Sequence, residues 1–176
     1  MNNLPWEFLH PERASWSESL VTIVTNELEN LDKATDVAFF RPDYTSLSDL
    51  QKVRVWCEFF VWLAAHESNW NPAVNSVDAG TREDKDTYSV GLLQVSVCDQ
   101  KNRRLPFAYS FEDLQQVTPN LTLGIAILCD QIHKKGVIMI HHGQSGDYWS
   151  TLCPGGKYDA SALIAQKTKS LIFPPA

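Results

Sequence analysis

The chain has 176 residues, of which 44% are hydrophobic and 20% charged, with a formal net charge of −6. That length suits one domain with a real core, and the composition is that of a soluble globular protein. No apolar run reaches membrane-spanning length, and the acidic balance speaks against nucleic acid, whose phosphates need a basic face. Met1 to Pro11 carries no basic stretch followed by an apolar one, so no signal peptide is expected in this chain. Ser15 with Glu18 reads as a capping box opening a first helix, with Trp16, Leu20, Ile23, Val24, Leu28 and Leu31 as its buried stripe. Ser46 with Asp49 opens a second helix, near 47–68, which Asn71-Pro72 ends because a residue before proline is pushed out of helical geometry. Val53, Trp56, Cys57, Phe60, Leu63 and Ala64 recur there at helical spacing, and Val55, Phe59 and Trp62 add a second stripe. A helix apolar on most sides is central to its domain.

Residues 73–96 change character. Val74, Val77, Tyr88, Val90, Leu93, Val95 and Val97 suggest short extended pieces joined by the polar stretch Asp78 to Asp86. They predict a small β-hairpin, or an irregular lobe, beside the central helix. Lys101, Asn102, Arg103 and Arg104 read as a solvated basic loop. Ser110 with Asp113 caps a short helix. Thr118-Pro119 starts a longer one with the stripe Leu121, Ile125, Leu128 and Ile132, ended by Gly136. A loop rich in Gly, Ser and His runs to about Gly156, and a last helix is expected near 159–171. With no repeats and no linker, the pattern describes one α+β domain over 1–176, mainly helical. The spacing of Cys57, Cys98, Cys129 and Cys153 excludes a zinc ribbon or a Cys-x-x-Cys redox motif. Cys57 and Cys129 read as small core residues, and the even count permits disulfides that a fold of this size does not require.

Glu67 is the most informative residue. It falls on the apolar stripe of the central helix, in the string His66-Glu-Ser-Asn-Trp-Asn-Pro72. A carboxylate on a buried face is costly to ionise and keeps its proton to unusually high pH, which is the state a general acid needs. The alternative is a helix-end glutamate turned to solvent. His66-Glu67 also invites a zinc-protease reading, but that motif needs a second histidine one turn on, where Trp70 stands. His10, His133, His141 and His142 show no matching ligand spacing, so no metal or other cofactor is expected.

Three strings occur in order: Glu67-Ser-Asn-Trp-Asn-Pro72, Tyr88-Ser-Val-Gly-Leu-Leu-Gln-Val-Ser96, and Asn120-Leu-Thr-Leu-Gly124 with Leu128. Over about 46–134 this resembles the catalytic domain of soluble lytic transglycosylases and goose-type lysozymes, with Leu93 in place of the family's methionine. The resemblance implies a lysozyme-like fold and a peptidoglycan substrate, cut between N-acetylmuramic acid and N-acetylglucosamine, with Glu67 as the catalytic acid. It also implies substrate contacts. Ser68 holds acid and sugar or finishes the helix. Gly91 lets the backbone approach the glycan, with a bulge glycine as the alternative. Gln94 both donates and accepts hydrogen bonds, which suits sugar hydroxyls and amides. Tyr88 belongs to the same motif, and Asn120 reaches the cleft or serves the first turn of its helix. The family's later Ala-Tyr-Asn string is absent, and the nearest substitute is Gly146-Asp-Tyr-Trp-Ser-Thr-Leu152, whose Tyr148 or Trp149 lines the cleft or packs in the core.

An inverting hydrolase needs a second carboxylate to activate water, whereas a transglycosylase uses the muramic 6-hydroxyl and leaves a 1,6-anhydro end. The loop Val77-Asp-Ala-Gly-Thr-Arg-Glu-Asp-Lys-Asp86 offers Asp78, Glu83, Asp84 and Asp86. The aspartate that goose-type lysozymes carry just after the Gly-Leu-Met-Gln motif is Ser96 here. The acidic loop leans the reading towards a muramidase, with a solvated hairpin tip as the plain alternative. A lytic transglycosylase and an inactive wall-binding or inhibitor-like module stay open. Enzymes that attack the polyanionic wall are often basic, so the acidity of this chain points to a cationic, deacetylated glycan. Glycan strands are the expected partner of a monomer, secreted or periplasmic by a leader removed or bypassed.

Overall fold

In the computed structural model, which describes residues 3–8, 10–77, 84–146 and 148–173, a twenty-residue helix apolar on nearly every side occupies the middle of the molecule. This is α3, Asp49–Ser68, and Val53, Val55, Trp56, Cys57, Phe59, Phe60, Val61, Leu63 and Ala64 are all buried along it. Around it pack α1 (Ala14–Leu31) and α7 (Ser161–Lys169). The second long helix α6 (Val117–Lys135) lies against α1, and the short α2 (Val37–Phe40) against α7. The expected stripes of α1 and α6 face this core: Leu20, Val24 and Leu31 are buried, as are Leu121, Ile125, Leu128 and Ile132. The architecture is the mainly helical α+β class expected from the pattern, with a central buried helix and a small hairpin lobe.

Helix starts differ from the expected ones. Ser15 does not cap α1, which runs straight on from a 3₁₀ turn at Pro11–Arg13 without a side-chain cap. Ser48, not Ser46, caps α3, in a reciprocal box with Gln51, while Ser46 donates to the carbonyl of Asp43. Nor does Asn71-Pro72 end α3. Asn69 (φ 51°) and Trp70 (φ 57°) turn left-handed first, and the Trp70 indole reaches back to the Val61 carbonyl at 2.7 Å. Two consecutive left-handed residues without glycine are unusual. The half-buried indole anchors them. The basic run is not a loop. Lys101 and Asn102 lie in α4 (Val97–Asn102), and Arg103 pairs with Asp130 of α6 at 2.8 Å. All four cysteines are free thiols. No helix among the described residues is long and apolar enough to cross a membrane.

The hairpin lobe consists of β1 (Asn75–Ser76) and β2 (Ser89–Val90), antiparallel, with Val90 also bridging Val95. Residues 91–94 therefore form a tight turn, and that turn docks on α6. Asn120 clamps it, accepting from the Leu93 N–H at 2.9 Å and donating to the carbonyls of Val90 (2.7 Å) and Leu114 (2.9 Å). Gly91 (φ +73°) and Gly124 admit the contact. A Cβ on Gly91 would fall 2.4 Å from the Asn120 amide nitrogen, and one on Gly124 would fall 2.4 Å from Leu93 Cδ1. The short α5 (Phe111–Leu114), capped by Ser110 as expected, supplies that Leu114 carbonyl.

Because Asn120 is 1% exposed, truncating it strands one buried donor and two acceptors. Asn120→Ala is expected to destabilise the fold by about 3 kcal/mol. Urea unfolding reads this as a lower midpoint at unchanged slope. A loss below about 1 kcal/mol would show that the clamp contributes little.

Candidate active site

Glu67 is the penultimate residue of α3 and opens into a cleft of about 710 Å³ between the hairpin lobe and the segment after α6. Burial pushes its carboxyl above the ordinary value, and a hydrogen bond from the Thr151 hydroxyl partly offsets that. Its position at the helix C-terminus acts in the same direction as burial, since the helix dipole there disfavours negative charge. Glu58 on the same helix makes an instructive contrast. It too is buried and raised, but Arg54 lies at 3.2 Å and the Trp62 indole at 2.9 Å. Glu58 is thus a paired structural carboxylate, whereas Glu67 forms no ion pair among the described residues. A raised, unpaired carboxyl facing a solvent-filled cleft is what proton donation requires.

The cleft is walled on one side by Val74, Ser76, Ser89 and Gln94 and on the other by Tyr148, Trp149, Ser150 and Tyr158, with Asp99 also facing it. Of the residues expected from sequence, Glu67, Gln94, Tyr148 and Trp149 share this space. Gln94 (φ 49°) has its amide engaged by the lobe itself, donating to the Val74 and Gly91 carbonyls and accepting from Ser76 Oγ at 3.0 Å. Trp149 is 3% exposed and donates its indole N–H to the Leu93 carbonyl at 2.8 Å. Tyr148 donates to Asp99 Oδ2 at 2.5 Å, with the Arg103 guanidinium over its ring. Burial, with the Asp99 carboxylate next, drives the Tyr148 phenol far above its ordinary value, so it stays protonated.

Other expected residues stand behind the cleft. Ser68 is buried and donates to the carbonyls of Ala64 and Leu92, finishing the helix and tying it to the 91–94 turn. Asn120 does not reach the cleft, because its amide is held by the backbone of that turn and of α5. Gly91 faces Asn120 and the Leu114 carbonyl, so its missing side chain makes room for protein. Tyr88 packs edge-on against Phe111, with ring centroids 6.0 Å apart. In the acidic loop, Asp86 pairs with Lys101 at 2.7 Å and Asp84 caps the 3₁₀ turn Lys85–Thr87, both outside the cleft lining. Asp78 and Glu83 lie outside the described residues. Among the described residues no cluster of His, Cys, Asp and Glu is arranged to hold a metal ion.

Sequence reasoning missed Asp99, Thr151, Ser150 and Tyr158. Asp99 did carry a signal. Ser96-x-x-Asp99 has the same form as Ser110-x-x-Asp113, and it caps α4 in the same way. Thr151 and Tyr158 had none, since only long-range folding brings them to Glu67 and its cleft.

The family model described as the Transglycosylase SLT domain matches residues 46–141. A solved structure, Bd0314 DslA in its wild-type form 2, is similar at 25% identity, covering 94% of this chain and 96% of the other, with a TM-score of 0.77. Two glutamate-to-glutamine variants of the same protein are similar at 26% and 25% identity, covering 94% of this chain and 95% of theirs, with TM-scores of 0.77 and 0.76. A comparison with curated proteins gives no match. Tyr148, Trp149, Ser150 and Tyr158 all lie beyond residues 46–141, so one wall of the cleft is built outside the matched segment.

The raised carboxyl has a thermodynamic consequence. Below the ordinary value of 4.5, Glu67 is protonated in folded and unfolded chains alike and its ionisation costs nothing. As pH rises from there through the higher folded value, ionisation penalises the folded state, and the penalty stays at higher pH. Glu67→Gln is therefore expected to melt above wild type at about pH 8 and level with it at about pH 4. Calorimetric Tm values of the two proteins at both pH values check this, and equal values at about pH 8 would refute the raised carboxyl.

Proposed function

Because the chain belongs to the Transglycosylase SLT domain family, we propose that it is a peptidoglycan-cleaving muramidase, cutting the β-1,4 bond between N-acetylmuramic acid and N-acetylglucosamine, with Glu67 as general acid. The observation that carries this reading is Glu67 itself: raised by burial, without a cationic partner among the described residues, and open to the cleft. In the reaction, the Glu67 carboxyl gives its proton to the departing glucosamine O4 as the C1–O4 bond breaks. Positive charge builds on the muramic ring, and the new Glu67 carboxylate offsets it. Tyr158, exposed at the cleft edge, and Tyr148 supply aromatic surface for sugar rings. Such a substrate lies outside the cytoplasmic membrane, where this protein would act, and no cofactor enters the scheme.

Inverting hydrolysis needs water activated by a second carboxylate. Asp78 is the favoured member of the acidic loop. Asp84 and Asp86 are engaged away from the cleft, and Asp78 stands eleven residues after Glu67. The two glutamates replaced in the similar solved structures are separated by the same eleven residues. Lytic transglycosylation is the second reading, favoured by the family's own description and by the absence of Asp84 and Asp86 from the cleft lining. Charge supports a cationic, deacetylated glycan. The chain carries a formal net charge of −6, and among the described residues the cleft lining holds the Asp99 carboxyl beside the proposed acid Glu67 and no Lys, Arg or His.

Glu67→Gln is expected to lower turnover on purified sacculi at least about 10²-fold. Mass spectrometry of wild-type fragments separates the readings: reducing ends mean hydrolysis, 1,6-anhydro ends mean transglycosylation, and no fragments mean a binding module. A Gln variant retaining more than about a tenth of wild-type turnover removes Glu67 from the role of acid.

Of the loop variants, Asp78→Asn is expected to cost about 10²-fold, with Asp84→Asn and Asp86→Asn near wild type. If charge on the loop instead draws in a cationic glycan, only the triple variant loses activity. That loss is confined to deacetylated sacculi and fades in high salt. Wild-type behaviour of all four on both substrates leaves the loop a solvated tip.

A further inference from the structure

Thr151 is the one hydrogen-bond partner that the described residues give Glu67, and its single hydroxyl hydrogen has no other acceptor among them. We propose that Thr151 is a positioning residue for the acid: its hydroxyl occupies Glu67 Oε1 and so leaves the catalytic proton on Oε2, the oxygen without a partner among the described residues. The proposal rests on the reading of Glu67 as general acid. A protonated carboxyl has one O–H and one carbonyl-like oxygen, and the oxygen that accepts from Thr151 must be the carbonyl-like one. The proton therefore sits on the oxygen free to meet the glycan.

The hydroxyl is held firmly enough to make this choice. Thr151 is 7% exposed in the 3₁₀ turn Ser150–Leu152, and its carbonyl accepts from the Ala160 N–H at 2.9 Å. The turn starts at Trp149, whose indole is fixed on the Leu93 carbonyl. A β-branched side chain adds a stiff χ1. When Glu67 releases its proton, the same bond becomes charge-assisted and stronger, so it favours the state in which proton transfer ends. Thr151 does not line the cleft and is not a catalytic residue; it acts through Glu67.

The test compares Thr151→Val, which keeps the shape and removes the hydroxyl, with Thr151→Ser, which restores a hydroxyl. The described titratable groups sharing the cleft with Glu67 are Asp99 from α4 and Tyr148 and Tyr158 from the C-terminal segment. Neither α1 nor α7, which also pack on α3, adds a charged group to the cleft lining. His66, exposed beside Glu67 and lowered by partial burial, titrates nearby, so the profiles are recorded in a His66→Gln background. In Thr151→Val the basic limb of the kcat/KM profile is expected to move to higher pH, because the carboxylate has lost its donor. kcat at the optimum falls about tenfold with KM unchanged, and Thr151→Ser restores both. Carbon NMR of the Glu67 carboxyl reads the same upward shift without activity, and Thr151→Ala serves if the Val variant does not fold. An unmoved limb and an unmoved carboxyl titration overturn the proposal, including when only Tm falls. An active Glu67→Gln overturns the acid reading itself, so the two failures are distinguishable.

Discussion

The 91–94 turn is the hub on which the rest of the site depends. Its backbone faces four ways at once. The Leu93 N–H goes to Asn120 on α6, the Leu92 carbonyl takes Ser68 at the end of α3, and the Leu93 carbonyl takes the Trp149 indole. The Gln94 carbonyl accepts a longer contact, 3.4 Å, from the Tyr148 hydroxyl. The residue beside Ser68 is Glu67, and the residues after Tyr148 and Trp149 lead to Thr151. One tight turn thus sets the distance between the acid and the wall that faces it. Two glycines make this possible, since a Cβ at Gly91 or Gly124 would push the turn off α6.

The electrostatics follow from where partners are supplied and where they are withheld. Glu58 receives an arginine and an indole, Asp130 receives Arg103 and Lys134, and Asp99 receives Ser96 and Tyr148. Glu67 receives one neutral hydroxyl. A buried carboxyl without a cation keeps its proton, and one hydroxyl keeps the group in place without ionising it. Strain collects at the same point. Asn69, Trp70 and Gln94, all left-handed without being glycine, flank the acid or line its cleft. Such conformations persist where surrounding contacts over-determine them, here the Trp70 indole and the fully engaged Gln94 amide.

The cleft divides by origin. The acid, the lobe and α6 fall within the segment matched by the family, while the facing wall, Tyr148 to Tyr158, falls after it. Glu67, the proposed acid, therefore lies in the part matched by the family model, and the facing wall of the cleft lies in the C-terminal segment beyond it. Arg103 links the two, pairing with Asp130 on α6 while covering the Tyr148 ring.

The sequence by itself determined the helical stripes, the central place of α3, the hairpin after it and the place of Glu67, the proposed acid, at the end of the apolar stripe. Each is a local pattern: apolar spacing follows helical period, and a carboxylate on an apolar stripe must be buried with it. It also held the Ser96-x-x-Asp99 cap, legible by the same rule that found Ser110-x-x-Asp113, although Val97 counts among the extended pieces and only the basic run after it reads as loop. Only the tertiary structure decided what Asn120, Gly91 and Ser68 do. Side chains that can bond sugar can equally bond backbone, and which partner is nearer depends on how the 91–94 turn meets α6. Thr151 lay further still from sequence reasoning. It stands 84 residues from Glu67, and no periodicity or spacing encodes a contact that forms only when the C-terminal segment folds back over the end of α3.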